Sequence, residues 1–65
     1  MMTSAECRAR AAVARAAAQS TGDKALRRHF MQMARDWGLM ADRAAVQEVM
    51  EAALLERENS PQPDH

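Results

Sequence analysis

The fold of this protein is decided by residues 24–44, which read KALRRHFMQMARDWGLMADRA. Apolar residues recur in this stretch at alternating steps of four and three, the spacing that lines up side chains on one face of an α-helix. The stripe consists of Leu26, Phe30, Met33, Trp37, Met40, Ala41 and Ala44. Gly38 is its one weak point, and no proline occurs before residue 61. The pattern predicts one long helix over about residues 24–57.

A shorter helix precedes this stretch. Residues 5–19 contain neither Gly nor Pro, and Thr3 with Glu6 fits a capping box at the start of the helix. Small residues repeat along it with the same spacing, at Cys7, Ala11, Ala14 and Ala18. We predict a helix over about residues 4–19, whose small side chains let its backbone approach the large residues of the second helix.

The two predicted helices are joined by a turn at residues 20–23, Ser-Thr-Gly-Asp. Gly22 suits the left-handed position that follows a helix, and Asp23 suits the N-cap of the next one. So short a connection favours antiparallel neighbours. Residues 1–58 therefore predict an all-α antiparallel helical hairpin with a long second helix. The polar tail at residues 59–65, with its two prolines, is predicted to be disordered.

Length and composition limit the classes of function. The chain has 65 residues, a single cysteine and 3% aromatic residues. No stretch approaches the ~20 apolar residues of a membrane span, and one cysteine cannot build a disulfide scaffold. A chain this short can hardly bury a catalytic site together with the shell that holds it, so we predict no enzyme and no catalytic residues. The free cysteine and the lack of a secretory signal predict a cytoplasmic protein.

The predicted helices differ in length. At 1.5 Å per residue the first spans about 24 Å and the second about 51 Å, so the second extends past the first from about Ala44. The apolar stripe moves to roughly the opposite face at the same point. This new face consists of Val46, Val49, Met50 and Ala53, and Leu54 lies on its flank. We predict that they mediate self-association or bind a partner helix; the alternative is a break near residues 41–45 and a third helix that folds back.

The small size of the chain favours self-association. A lone hairpin with two aromatic side chains, Phe30 and Trp37, has little core, and chains of this length usually need oligomerisation or covalent staples. The leading architecture is a homodimer that forms a four-helix bundle, and a tetramer stays open. The predicted function is a non-enzymatic interaction or regulatory module.

Charge is balanced overall but divided along the chain. Residues 1–35 carry seven basic and two acidic residues (7 − 2 = +5), and residues 36–65 carry two basic and seven acidic ones (2 − 7 = −5). Three interpretations are open: a solvated polar surface, an acidic segment lying along the basic hairpin of a partner subunit, and a nucleic-acid patch. The residues of that patch would be Arg8, Arg15, Arg27 and Arg28. Nucleic acid is the least favoured partner, because no aromatic residues alternate with these arginines and the acidic half repels phosphate.

The cysteine and the histidines favour structural roles. Cys7 has no catalytic partner near it in sequence, and the hairpin places it far from His29, so we predict a small buried thiol. Cys7, His29 and His65 lack the spacing of metal ligands. No metal or other cofactor is therefore predicted.

Tryptophan and methionine side chains are assigned by their position on the second helix. Trp37, Met33 and Met40 lie on the stripe and are predicted to be core residues. Met31 and Met50 lie off the stripe, so we predict them as contact residues for a partner.

One run on each helix resembles a known group of proteins. The first run is Ala5-Glu6-Cys7-Arg8 followed by alanines, and the second is residues 33–41, MARDWGLMA. Over about residues 5–45 the pattern resembles a group of short uncharacterised helical-hairpin proteins of alphaproteobacteria, which show A-x-x-C-R and mA-x-x-W-x-x-LA runs. Here one residue rather than two separates Ala5 from Cys7, and Met40 stands where Leu is usual. The resemblance implies a helical hairpin and a bacterial cytoplasmic origin, and it implies no activity.

Overall fold

A computed structural model describes residues 2–59, which form two α-helices packed against each other. The first helix, α1, spans Ser4–Ser20, and the second, α2, spans Lys24–Asn59. The predicted all-α helical hairpin is confirmed. No break occurs in α2 near residues 41–45, so the alternative of a third helix is wrong. Of the predicted tail, Asn59 is helical, and residues 60–65 lie outside the described part of the chain.

Both helices begin at the capping residues that the sequence indicates. The Thr3 hydroxyl accepts a hydrogen bond from the backbone N–H of Glu6 at 3.1 Å. The Asp23 carboxylate accepts from the backbone N–H groups of Ala25 at 2.8 Å and Leu26 at 3.2 Å. These side chains satisfy backbone donors that have no partner within the first turn of a helix.

The connection between the helices does not use a left-handed glycine. Thr21 leaves α1 in an extended conformation, with φ −94° and ψ 140°, and its hydroxyl accepts from the backbone N–H of Asp23 at 3.2 Å. Gly22 has no positive φ, so the prediction of a left-handed residue there is wrong. The extended Thr21 already turns the chain away from α1, so the connection needs no positive φ.

The buried side of α1 is lined by small residues. Cys7, Ala11, Ala14 and Ala18 are buried, as predicted, and Ser4 extends the row by one turn towards the N-terminus. We call these five residues the α1 seam. None of their side chains is larger than a thiol, so the backbone of α2 can lie close to α1.

The buried residues of α2 match the predicted stripe only in part. Ala41 belongs to the stripe and is buried as predicted, at 1% exposure, whereas Ala34 lies outside the stripe and is buried at 4%. Leu26, Met33 and Met40 are exposed, so the prediction that they form the core is wrong. With alanines on both sides of the contact there is no room between the helices for a large side chain, and the bulky residues lie along its edges.

The close contact between the helices can be tested by overfilling it. We expect Ala41→Leu to destabilise the hairpin by about 1–3 kcal/mol, because the added atoms have no space against α1. Urea unfolding followed by circular dichroism measures the change. Ala12→Leu, at an exposed position of α1, is the matched control and should have little effect. Equal stability of the two variants would contradict close packing at Ala41.

Gly38 is a site where α2 can be stabilised. A methyl group added there meets no atom within 4 Å, and the residue has no positive φ. We expect Gly38→Ala to raise the free energy of unfolding by about 1 kcal/mol, the difference in helix propensity. The same unfolding experiment measures it, with Gly22→Ala in the non-helical connection as the control. Destabilisation by Gly38→Ala would reveal a steric constraint that the structure does not show.

Candidate functional site

The C-terminal part of α2 extends past the beginning of α1. Ser4, the first residue of α1, contacts Glu48, and 59 − 48 = 11 residues of α2 follow that contact. At 1.5 Å per residue this is about 17 Å of helix that α1 cannot cover. We call residues 46–59, which comprise these 11 residues and the three that lead up to them through Glu48, the overhang.

A carboxylate of α2 closes the hairpin at this end. The Ser4 backbone N–H donates to Glu48 Oε2 at 2.7 Å, and the Ser4 hydroxyl donates to Glu48 Oε1 at 2.7 Å. Hydrogen bonds from the Ser4 hydroxyl and the Ser4 backbone N–H hold the pKa of Glu48 below its ordinary value of 4.5. Desolvation opposes them, and the positive charge of Arg8 adds a lesser lowering effect on this pKa. An anion at a helix N-terminus is also favoured by the helix dipole. The contact fixes how far α1 reaches along α2.

The overhang presents its apolar residues on the side of α2 that faces away from α1. At 100° per residue, Val46, Val49, Met50 and Ala53 lie between about 80° and 180° around the helix from Ala41, with the centre of the group at about 130°. Val46, Val49 and Met50 are 58%, 70% and 60% exposed. Ala53 is exposed as well, and Leu54 is exposed on the flank of the group. All five residues predicted for association therefore lie on one uncovered surface, which we call the overhang face.

The four arginines of the predicted nucleic-acid patch are not brought together. Arg8 lies near the beginning of α1, at the end of the hairpin away from the connection, where its charge acts on Glu48. Arg27 lies at the opposite end, where its guanidinium donates to the backbone oxygen of Thr21 at 3.1 Å. Arg28 follows it, and Arg15 is two turns along α1 from Arg8. With about 18 Å of helix between Arg8 and the end of α1, the four side chains are spread along the molecule.

A second apolar feature is a groove along one edge of the hairpin. The Arg10 guanidinium lies over the ring of Trp37, 5.4 Å from its centre, a cation–π arrangement. Trp37 and Phe30 are half-buried, so the predicted core tryptophan lies at the edge of the contact between the helices. Val13, Ala17 and Met33 complete a cavity of about 290 Å³. Because Arg10 covers the ring of Trp37, part of this groove is already occupied by the chain itself.

The single thiol has a structural environment. Cys7 is buried in the α1 seam at 2% exposure, next to Met40 and Ala44. His29 is exposed on α2, with its ring centre 5.8 Å from that of Phe30. Residues 2–59 contain no group of three acidic, histidine or cysteine side chains placed to hold a metal ion. His65, the third residue considered for metal binding, lies outside the described residues.

No protein-family model, no curated protein and no solved structure matches the chain. The resemblance to the alphaproteobacterial group therefore stays a prediction. In the described part of the chain, neither helix combines the length and the apolar character needed to cross a membrane.

Sequence reasoning did not identify the role of Glu48. The signal for it was present, because Glu48 continues the line of Ala34 and Ala41 along α2 at steps of seven. An acidic residue on that line, at the height where the antiparallel helix begins, meets free backbone donors. Only the distance between the helices and their register show that the carboxylate reaches Ser4.

The contact between Ser4 and Glu48 predicts a pH dependence of stability. Folding lowers the pKa of Glu48. The contribution of Glu48 to the free energy of unfolding is therefore fully present above pH 4.5, its ordinary pKa, and is lost as the pH falls through the lower pKa of the folded protein. We expect Glu48→Gln to be less stable than the parent protein at pH 7. The difference should shrink as the pH is lowered below 4.5. Urea unfolding at a series of pH values, at one protein concentration, measures it.

Glu51→Gln is the control for this prediction. Glu51 is exposed about one turn further along α2, and its substitution removes the same charge without touching Ser4. Equal pH profiles for the two variants would contradict a specific role for Glu48.

Proposed function

We propose that this protein is a non-enzymatic helical interaction module that self-associates through the overhang face. The observation that carries the proposal is the overhang of α2, on which Val46, just before Glu48, and Val49 and Met50, just after it, are exposed on the side away from α1. Such a face is the usual apolar stripe by which one helix packs on another. The resemblance in the hairpin is consistent with the module acting in a bacterial cytoplasm.

The weak core of the monomer supports this proposal. The buried row consists of Ser, Cys and Ala, and both aromatic side chains are only half-buried. Alanine burial contributes little, whereas complete burial of a Val, Leu or Met contributes roughly 1.5–3 kcal/mol. Much of the apolar area that this chain can still remove from water lies on the overhang face, where Val46, Val49 and Met50 are more than half exposed.

The helical state of the overhang also favours a partner. An isolated helix shorter than about 12–15 residues is marginal in water, because nucleation is unfavourable and each hydrogen bond adds little. The overhang extends from the hairpin, which supplies the nucleus, but beyond Glu48 α1 adds no contacts along it. A second helix on the overhang face would stabilise the helical form and bury its apolar residues together.

Charge favours a second copy over an unrelated partner. The basic balance of residues 1–35 and the acidic balance of residues 36–65 cancel within the chain, so two copies carry no net repulsion. The dispersed arginines do not form a phosphate-binding cluster, and the structure thus gives the nucleic-acid alternative no support. We favour a dimer, since a two-fold interface uses the same surface on both subunits.

The proposal is tested by placing a charge on the overhang face. We expect the parent protein to be a dimer and Val49→Asp to be a monomer, because the substitution puts a carboxylate into the apolar contact. Light scattering over a concentration series measures the mass, and circular dichroism checks that the variant is still helical.

Val13→Asp is the matched control, because Val13 on α1 is 69% exposed and Val49 is 70% exposed. It should leave the dimer intact. A parent protein that stays monomeric at all concentrations, or an unchanged mass for Val49→Asp, would overturn the proposal. Dissociation by Val13→Asp instead would assign the interface to the groove.

A further inference from the structure

We infer that the overhang face pairs with the same face of a second copy in antiparallel orientation, with the two-fold axis between Val49 and Met50. This inference rests on the proposed function and adds the partner surface and its register. It differs from the four-helix bundle expected from the sequence, in which the segment beyond α1 would lie along the hairpin of the partner.

The sequence around the overhang face has a mirrored pattern. Residues 42–57 read DRAAVQEVMEAALLER, with their midpoint between Val49 and Met50. In an antiparallel pair centred there, positions whose numbers add up to 99 lie opposite each other. The facing pairs are Asp42 with Arg57, Arg43 with Glu56, Val46 with Ala53, and Val49 with Met50. Apolar residues of one subunit thus face apolar residues of the other. At each end of the paired segment, residues of opposite charge lie at the same position along the helix axis.

The geometry of α2 brings the outer pair into the contact. At 100° per residue, Asp42 and Arg57 lie within about 30° of the centre of the overhang face, on either side of it. Both side chains are exposed. They therefore point towards the partner helix and bracket the apolar residues, the position in which opposite charges set orientation and register.

The one unfavourable mirror pair lies outside the contact. Glu48 and Glu51 also add up to 99, which would place like charges at the same height. Glu48 is on the opposite side of α2, where it accepts both hydrogen bonds from Ser4. Glu51 lies about 60° from Glu48 and is likewise turned away from the overhang face. The pairing therefore leaves the Ser4 contact undisturbed.

Residues nearer the connection limit how far the partner can slide. The same side of α2 carries Arg28, Gln32 and Arg35 in its first three turns. A partner overhang shifted onto this part of the helix would place Val46 and Val49 against arginines. The antiparallel pairing confined to residues 42–57, about 22 Å of helix, avoids that cost.

A charge-swap experiment tests the register. In a two-fold dimer, position 42 of each subunit faces position 57 of the other, so the outer pair occurs twice. Asp42→Arg turns both pairs into arginine–arginine pairs, and Arg57→Asp turns both into aspartate–aspartate pairs. We expect each single variant to raise the dimer dissociation constant by about tenfold at low salt, where charge interactions are least screened. The double variant Asp42→Arg/Arg57→Asp should return to within about threefold of the parent value, because the pairs are restored in reverse.

Mixing the two single variants provides a second readout. One chain then carries arginine at both positions 42 and 57, and the other carries aspartate at both, so every facing pair between them joins unlike charges. The mixture should therefore form heterodimers, seen by native mass spectrometry, in preference to either homodimer. Arg28→Asp changes the net charge as Arg57→Asp does but lies outside the pairing, and it should leave the dissociation constant within about twofold.

The outcomes separate this inference from the function it rests on. Dissociation by Val49→Asp without rescue in the double variant, and without heterodimers in the mixture, would overturn the register and leave self-association standing. A monomeric parent protein would overturn both. Rescue together with heterodimer formation supports the antiparallel pairing centred between Val49 and Met50.

Discussion

The close contact of two alanine-lined helix surfaces is the constraint from which the other features of this protein follow. Ala34 and Ala41 of α2 lie against the α1 seam, and there is no space between the helices for larger side chains. Phe30 and Trp37 are therefore half-buried at the edge, and Met33 and Met40 are exposed. A hairpin built in this way brings its two backbones close together but buries little apolar area, and it leaves most of its large apolar residues exposed.

The length difference between the helices depends on the same contact. Ser4 reaches Glu48 only because the antiparallel helices lie close together, and the bidentate contact ties the first residue of α1 to Glu48 of α2. Beyond that point the side of α2 that would have faced α1 continues with Leu55, and the overhang face lies on the opposite side. Because the overhang face is turned away, α1 could not cover it even if it were longer.

Features that depend on local chemistry could be predicted from the sequence. The caps at Thr3 and Asp23 and the α1 seam follow from hydrogen-bonding side chains and from helical periodicity. The overhang face could be predicted for the same reason, since the change of face at Val46 needs only the 100° step. The buried side of α2 could be predicted only in part. The stripe included Ala41, but the sequence alone does not show that Ala34 is buried in place of the adjacent Met33, or that Met40 beside Ala41 is exposed. The size of the residues on α1 decides whether the methionine or the neighbouring alanine of α2 is buried. That choice depends on how the two helices pack together and cannot be read from the sequence of α2 alone.

The position of Cys7 gives the hairpin an internal reporter. Its thiol lies in the α1 seam at 2% exposure, so a reagent reaches it only when the two helices separate. When separation and closure are fast relative to modification, the labelling rate equals the intrinsic rate multiplied by the open fraction. The overhang face lies on the other side of α2, so dissociation of a partner there leaves the thiol covered. Labelling kinetics therefore follow the opening of the hairpin separately from dissociation of the proposed dimer, without any added probe.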